Sequence, residues 1–149
     1  MSDLTVRVIG DPAPQGSKTA YRKGNRTVLV ESSKAVKPWR AIVAAETVQA
    51  KRQQQQPMLI GDVEVGLVFW LRRPAGHYGT GRNAGSLRPS APPRPGVKPD
   101  LDKLARSTLD ALGTANAYSD DSRVVLLQAE KRYATEEHPP GVHITIKEV

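Results

Sequence analysis

Five aspartates, Asp100, Asp102, Asp110, Asp120 and Asp121, fall within 22 residues and make up most of the nine acids in residues 100–149. Carboxylates held this close repel one another unless a cation sits among them. Their oxygens suit a hard divalent ion, and Mg²⁺ needs few protein ligands because water and a substrate phosphate complete its shell. Asp100 and Asp102 stand two apart where a helix begins, Asp110 follows Asp102 by eight residues, and Asp120-Asp121 occupies a polar turn before a strand. Each group also has a plain structural use, Asp102 as a helix N-cap and Asp120-Asp121 as a turn dipeptide. Carboxylates holding Mg²⁺ beside a phosphate-binding surface are the general design of a metal-dependent nuclease. A structural acidic patch is the alternative.

Such a surface is present in the composition. The 149 residues carry 22 Lys and Arg against 15 Asp and Glu, a net charge of +7. The charge is segregated: residues 1–99 hold 16 basic and 6 acidic side chains, residues 100–149 hold 6 and 9. A basic part of this kind is the footprint of a polyanion partner, here nucleic acid. The cations expected to meet DNA are Lys18, Arg22, Lys23, Arg26, Arg72, Arg73, Arg82, Arg88, Arg94, Lys98 and Lys103.

Other chemistries find little support. The absence of cysteine excludes disulfides, thiolate zinc sites and cysteine nucleophiles. His77, His138 and His143 show no ligand spacing and read as ordinary surface or strand residues. Pro14-Gln15-Gly16-Ser17-Lys18 lacks the spacing of a phosphate loop and precedes a strand, not a helix, so no NTP site is expected. No Gly-x-Ser-x-Gly elbow occurs. No apolar run approaches the ~20 residues of a membrane span, and the start lacks a signal-peptide pattern, so a cytoplasmic protein is expected.

The elements that must position these residues follow from periodicity. Leu4–Ile9 alternates as a strand, and Thr19–Arg22 with Thr27–Glu31 forms a hairpin with a basic tip. A helix is expected from about Pro38 to Arg52, capped by Ser32 or Ser33, burying Trp39, Ile42, Val43 and Ala50, fraying over Gln53–Gln56 and stopped by Pro57. Val63–Leu71, the most apolar stretch, should be a central strand. Residues 74–97 hold five prolines and five glycines and read as a long loop. The helix that carries the acids should run from Asp100 to Leu112, burying Leu101, Leu104, Ala105, Thr108 and Leu112, with Gly113 as its stop. Val124–Tyr133 and Val142–Val149 finish the chain as strands. The expectation is one α+β domain over 1–149, a mixed sheet of four to five strands with two helices covering one face.

Val97-Lys98-Pro99-Asp100-Leu101-Asp102-Lys103-Leu104-Ala105-Arg106-Ser107-Thr108-Leu109-Asp110, followed by Tyr118-Ser119-Asp120-Asp121-Ser122-Arg123, resembles the signature of the RusA family of Holliday junction resolvases. The opening Gly10-Asp11-Pro12-Ala13-Pro14-Gln15-Gly16-Ser17-Lys18 is similar to the start of many phage members. The resemblance implies a homodimeric endonuclease, dependent on Mg²⁺ or Mn²⁺, that resolves four-way DNA junctions by paired symmetric nicks. It implies Asp100, Asp102 and Asp121 as metal ligands and Arg106 as the basic catalytic residue; Asp110 falls on a recurring acid of the motif with no role assigned to it, and Asp120 is a neighbour of the ligands. The family commonly has lysine at the position of Arg106, and the loop 74–97 looks like an insertion. Sequence alone does not locate the dimer interface; Val63–Leu71 and the N-terminal strand are candidates for it. A silent basic DNA-binding protein and a less selective flap or single-strand nuclease are the competing readings.

Overall fold

A computed structural model of the chain describes residues 3–16, 18–31 and 34–149. Period-two alternation builds the sheet. In β4 (Val63–Leu71) every second side chain, from Val63 to Leu71, is buried while those between are half-buried. Leu4, Val6 and Val8 of β1 (Asp3–Ile9) and Val142, Ile144 and Ile146 of β6 (Gly141–Glu148) are buried in the same way. The sheet order is β1-β6-β4-β5, where β5 spans Val124–Tyr133. β6 runs antiparallel to both β1 and β4, and β4 pairs with β5 in parallel. A parallel pair needs a crossover, and here it consists of the long loop and the acid-bearing helix. The four-stranded mixed sheet matches the expected architecture. The hairpin of β2 (Lys18–Lys23) and β3 (Arg26–Glu31) forms a separate two-stranded sheet.

Two helices complete the core. α1 (Val36–Gln53) packs on β1 and on α2 (Leu101–Thr114), which also meets β5. The buried stripe of α1 is Val36, Trp39, Val43, Thr47 and Ala50. Ile42, expected in that stripe, is 42% exposed because it lies one residue, about 100° of helix, away from Val43. The helix begins behind Ala35, which makes no side-chain cap bond; Ser32 and Ser33 lie outside the described residues.

Both helices end in the same way, and neither as expected. After α1 the backbone N–H of Gln55 donates to Arg52 O and that of Gln56 to Lys51 O, with Gln55 at φ 51°. After α2, Asn116 N–H donates to Gly113 O and Ala117 N–H to Leu112 O, with Asn116 at φ 58°. These are Schellman closures, whose left-handed residue tolerates Asn. Gly113 is therefore inside α2, and the glutamine run is an ordered stop instead of a frayed end. Gln54 also covers the edge of β1: its Oε1 accepts from Thr5 N–H at 3.1 Å and its Nε2 donates to Thr5 O at 2.7 Å. Lys51 Nζ donates to Asn116 O at 2.7 Å, joining the two helix ends.

Residues 74–97 are more ordered than a plain spacer. They contain two 3₁₀ turns, Ala75–His77 and Gly81–Asn83, and an isolated bridge between Tyr78 and Leu87. No helix among the described residues is long and apolar enough to cross a membrane.

Candidate active site

Asp102, Arg106 and Asp110 are spaced at four residues and so form one stripe along α2, about 6 Å per step. The opposite side of the helix explains why this stripe faces outward. Leu104, Ala105, Ala111 and Leu112 enter the core together with Ser107 and Thr108, both fully buried. Buried hydroxyls need partners. Ser107 Oγ donates to Ala13 O at 2.7 Å, and Thr108 Oγ1 accepts from Trp39 Nε1 at 3.3 Å. These bonds fix the rotation of α2 about its axis.

The stripe lines a cavity of about 340 Å³, joined there by Leu109, Tyr118, Asp121, Val124 and Leu127. Asp121 opens the 3₁₀ turn Asp121–Arg123 before β5. Its carboxylate lies against α2 at Gly113, where a Cβ would stand 3.0 Å from Asp121 Oδ1. Burial, then the charges of Asp110 and Asp120, push the Asp121 carboxyl above the usual aspartate range. Tyr118 sits buried beneath, its Oη donating to Leu109 O at 2.7 Å. Burial, then the charges of Asp121 and Asp110, push the phenol above the usual tyrosine range.

The other predicted acids stand elsewhere. Asp100 occupies the N-cap position of α2 without capping it and does not line the cavity. It pairs instead with Lys103 at 3.3 Å and Lys98 at 3.5 Å, and the hydrogen bond from Lys103, then the Lys98 charge, hold its carboxyl below the usual range. Asp120 caps the 3₁₀ turn by accepting from Ser122 N–H at 2.8 Å, which lowers its pKa. Asp102 makes no side-chain cap: it lies inside the helix, whose first residue is Leu101, and the N-cap position two residues earlier is Asp100.

Among the described residues, no three His, Asp or Glu side chains converge closely enough to form a ready metal cage. The donor set still fits Mg²⁺, which binds through one or two carboxylates and leaves positions for water and phosphate. Burial is the larger cause of the raised Asp121 carboxyl; the repulsion from Asp110 and Asp120 that adds to it is what a cation would relieve. Asp102, Arg106 and Asp121 are exposed to solvent.

The basic residues divide by what already occupies them. Arg22, Lys23 and Arg26 are exposed at the hairpin tip; the surroundings of the Lys18 side chain lie outside the described residues. Arg82, Arg88 and Arg94 are exposed on the loop, Arg88 also donating to Tyr78 O at 2.9 Å. Arg72 pairs with Asp11 at 3.4 Å, and Lys98 and Lys103 hold Asp100. Arg73 is half-buried, stacks over the Tyr133 ring at 4.2 Å and donates to Pro92 O at 2.9 Å, so it braces the loop. The histidines are scattered: His77 meets the Tyr133 ring edge-on, His138 stacks on Trp70, and His143 is exposed on β6. The turn at Gly16 leads into β2, not a helix, unlike a phosphate loop.

Sequence reasoning missed Tyr118, whose only signal is an aromatic ring two residues before the aspartate pair. It also missed Lys131 on β5, whose Nζ donates to Val97 O at 2.7 Å and Pro99 O at 2.9 Å and so holds the entry to α2. No local pattern marks that lysine.

A sheet backed by two helices, one of which presents an outward stripe of acid, arginine and acid beside the aspartate of the turn before β5, has the parts of a phosphodiesterase. The chain matches the family Endodeoxyribonuclease RusA over residues 10–147 and belongs to it. Along its full length it is also 26% identical, over 156 aligned residues, to "Uncharacterized protein YqaN" of Bacillus subtilis (strain 168), spanning 99% of that protein.

Proposed function

We propose that this protein is a Mg²⁺-dependent, structure-selective endodeoxyribonuclease that resolves four-way DNA junctions by paired symmetric nicks, with Mn²⁺ able to substitute. The observation that carries this reading is the cavity where Asp102, Arg106, Asp110 and Asp121 meet, open to solvent on a basic protein of a DNA endonuclease family. Asp102 and Asp121 would hold the ion, and Asp100 would join them once a phosphate draws Lys98 or Lys103 away. When bound, the ion polarises a water and offsets charge on the scissile phosphate. Arg106, one turn from both Asp102 and Asp110, has a guanidinium fork that matches phosphate oxygens and cannot lose its proton, so it acts as a fixed charge. The Arg88 and Arg94 region and the hairpin tip supply contacts to the DNA backbone, and the shape of the branch supplies selectivity.

Paired nicks need two sites on opposing strands, so the working form is a homodimer. β4 cannot supply its interface by strand pairing, because both its edges are taken by β6 and β5. β1 has an edge partly covered by Gln54. β5 lies at the other edge of the sheet and exposes Val125, Leu126 and Leu127, which suits it to a second copy of this chain. Sedimentation of the protein alone and on a junction should show two chains; a monomer in both states would contradict this.

A labelled four-way junction, Mg²⁺, the wild-type protein and Asp102→Asn test the whole reading. The wild type should cut symmetrically, and the variant should bind the junction but leave it whole, since it loses a carboxylate and no phosphate contact. Shifted but uncut DNA with the wild type would identify a silent binding protein. Indiscriminate cutting would identify a flap or single-strand nuclease.

A further inference from the structure

A second cation reaches the site from α1. Arg40, with a side chain 33% exposed, has its Nη1 3.1 Å from Gln15 Oε1 and 3.9 Å from Asp110 Oδ2. Both ends of this contact are anchored on α2. Gln15 N–H donates to Lys103 O at 3.1 Å, and the residue beside Arg40, Trp39, is buried with its indole N–H on Thr108. The guanidinium is hydrogen-bonded to Gln15 and stands within ion-pair distance of Asp110, and its planar fork suits the bracing of neighbours. What it braces matters, because Asp110 faces the cavity that also holds Asp121, and two carboxylates there repel.

We propose that Arg40 is a positioning residue of the nuclease site: it draws the Asp110 carboxylate toward α1 and keeps the space before Asp121 open for a cation and a phosphate. This rests on the nuclease reading. Through Gln15 the same contact ties the loop that follows β1 to α2. Arg40 acts through Asp110, not on DNA directly.

A double-mutant cycle separates these roles. Arg40→Ala, Asp110→Asn and the double variant are compared with wild type in single-turnover cleavage of a pre-bound junction and in calorimetric binding of Mn²⁺ without DNA. Thermal melting of each variant controls for folding. Arg40→Ala should slow cleavage by about tenfold or more while Asp110 is present, the scale of a misplaced site group. It should change neither quantity further in the Asp110→Asn background, and Arg40→Lys should recover only part of the rate. If Asp110→Asn is itself inactive, the Mn²⁺ affinities still report whether the two substitutions are coupled. Additive effects, or no effect of Arg40→Ala on either readout, would overturn the proposal. So would a junction-binding salt slope reduced by about one unit, the sign of a direct phosphate contact. A wild-type protein that leaves junctions uncut would refute the nuclease reading instead, with the Mn²⁺ cycle still deciding on Arg40.

Discussion

Lys131→Met removes an ammonium while keeping the length and much of the apolar stem of the side chain. Lys131 lies on β5 opposite Phe69, whose side chain is buried, and its Nζ bonds Val97 O and Pro99 O at 2.7 and 2.9 Å. These two carbonyls lie three residues and one residue before Asp100, so the lysine fixes where α2 starts and thus where Asp102 points. A hydrogen bond from a charged donor contributes roughly 1.5–3 kcal/mol net, and an exposed one less because water replaces it. The bond to Pro99 O is partly buried and that to Val97 O is exposed, which puts the combined loss at about 2 kcal/mol. For a chain of this length that lowers the melting temperature by about 4–8 °C. Activity should fall further than stability does: a shift of about 1 Å in a reacting group costs on the order of 10²-fold. The assay pairs thermal melting with single-turnover cleavage of a bound junction at a temperature where the variant is fully folded. Lys131→Arg, which keeps charge and donors, should fall between the two. Wild-type melting and wild-type cleavage by Lys131→Met together would refute the idea that this lysine sets the entry to the helix.

Arg106→Ala should slow cleavage by about 10²–10³-fold, the loss typical of a transition-state donor, and Arg106→Lys should retain substantial activity. Wild-type speed in the alanine variant would leave Arg106 only an i,i+4 helix pair. Replacing Arg82, Arg88 and Arg94 by alanine should weaken junction binding and reduce the salt slope by about one unit per lost phosphate contact; an unchanged slope would make the loop a spacer. Because Asp121 titrates above an ordinary aspartate, Mn²⁺ affinity should start to fall on acidification at a pH where ordinary carboxylates are still ionised. Asp110→Asn, by removing one of the repelling charges, should move that fall to lower pH, and calorimetry across the acidic range reads both. Without metal the sign for stability is opposite: the raised Asp121 favours the folded chain below the unfolded-state value, and the benefit is lost as pH rises through the raised one.

What could be read along the chain was whatever depends on neighbours within a turn or a strand. The alternation of Val63–Leu71 fixes which side chains are buried, and the spacing of Asp102, Arg106 and Asp110 places them on one stripe, because both periods are properties of the backbone. The acids, the basic bias and the family signature were legible for the same reason. The cavity was not. It exists because a parallel β4–β5 pair brings the turn at Asp121 back beside a helix that ends at Thr114, seven residues upstream, and because Gly113 leaves room for that carboxylate. Gly113 reads locally as a helix stop, yet the stop belongs to Asn116, since a Schellman closure is decided by which residue can turn left-handed while the core still wants Leu112. Arg40, Gln15 and Lys131 carry no local mark at all. Their roles come from bonds that span 25 to 70 residues or more in this fold's neighbourhood of α2, as with Lys131 to Pro99 across 32 residues and Arg40 to Asp110 across the interface of the two helices. Side chains of ordinary type become site residues only when the tertiary packing chooses what stands opposite them.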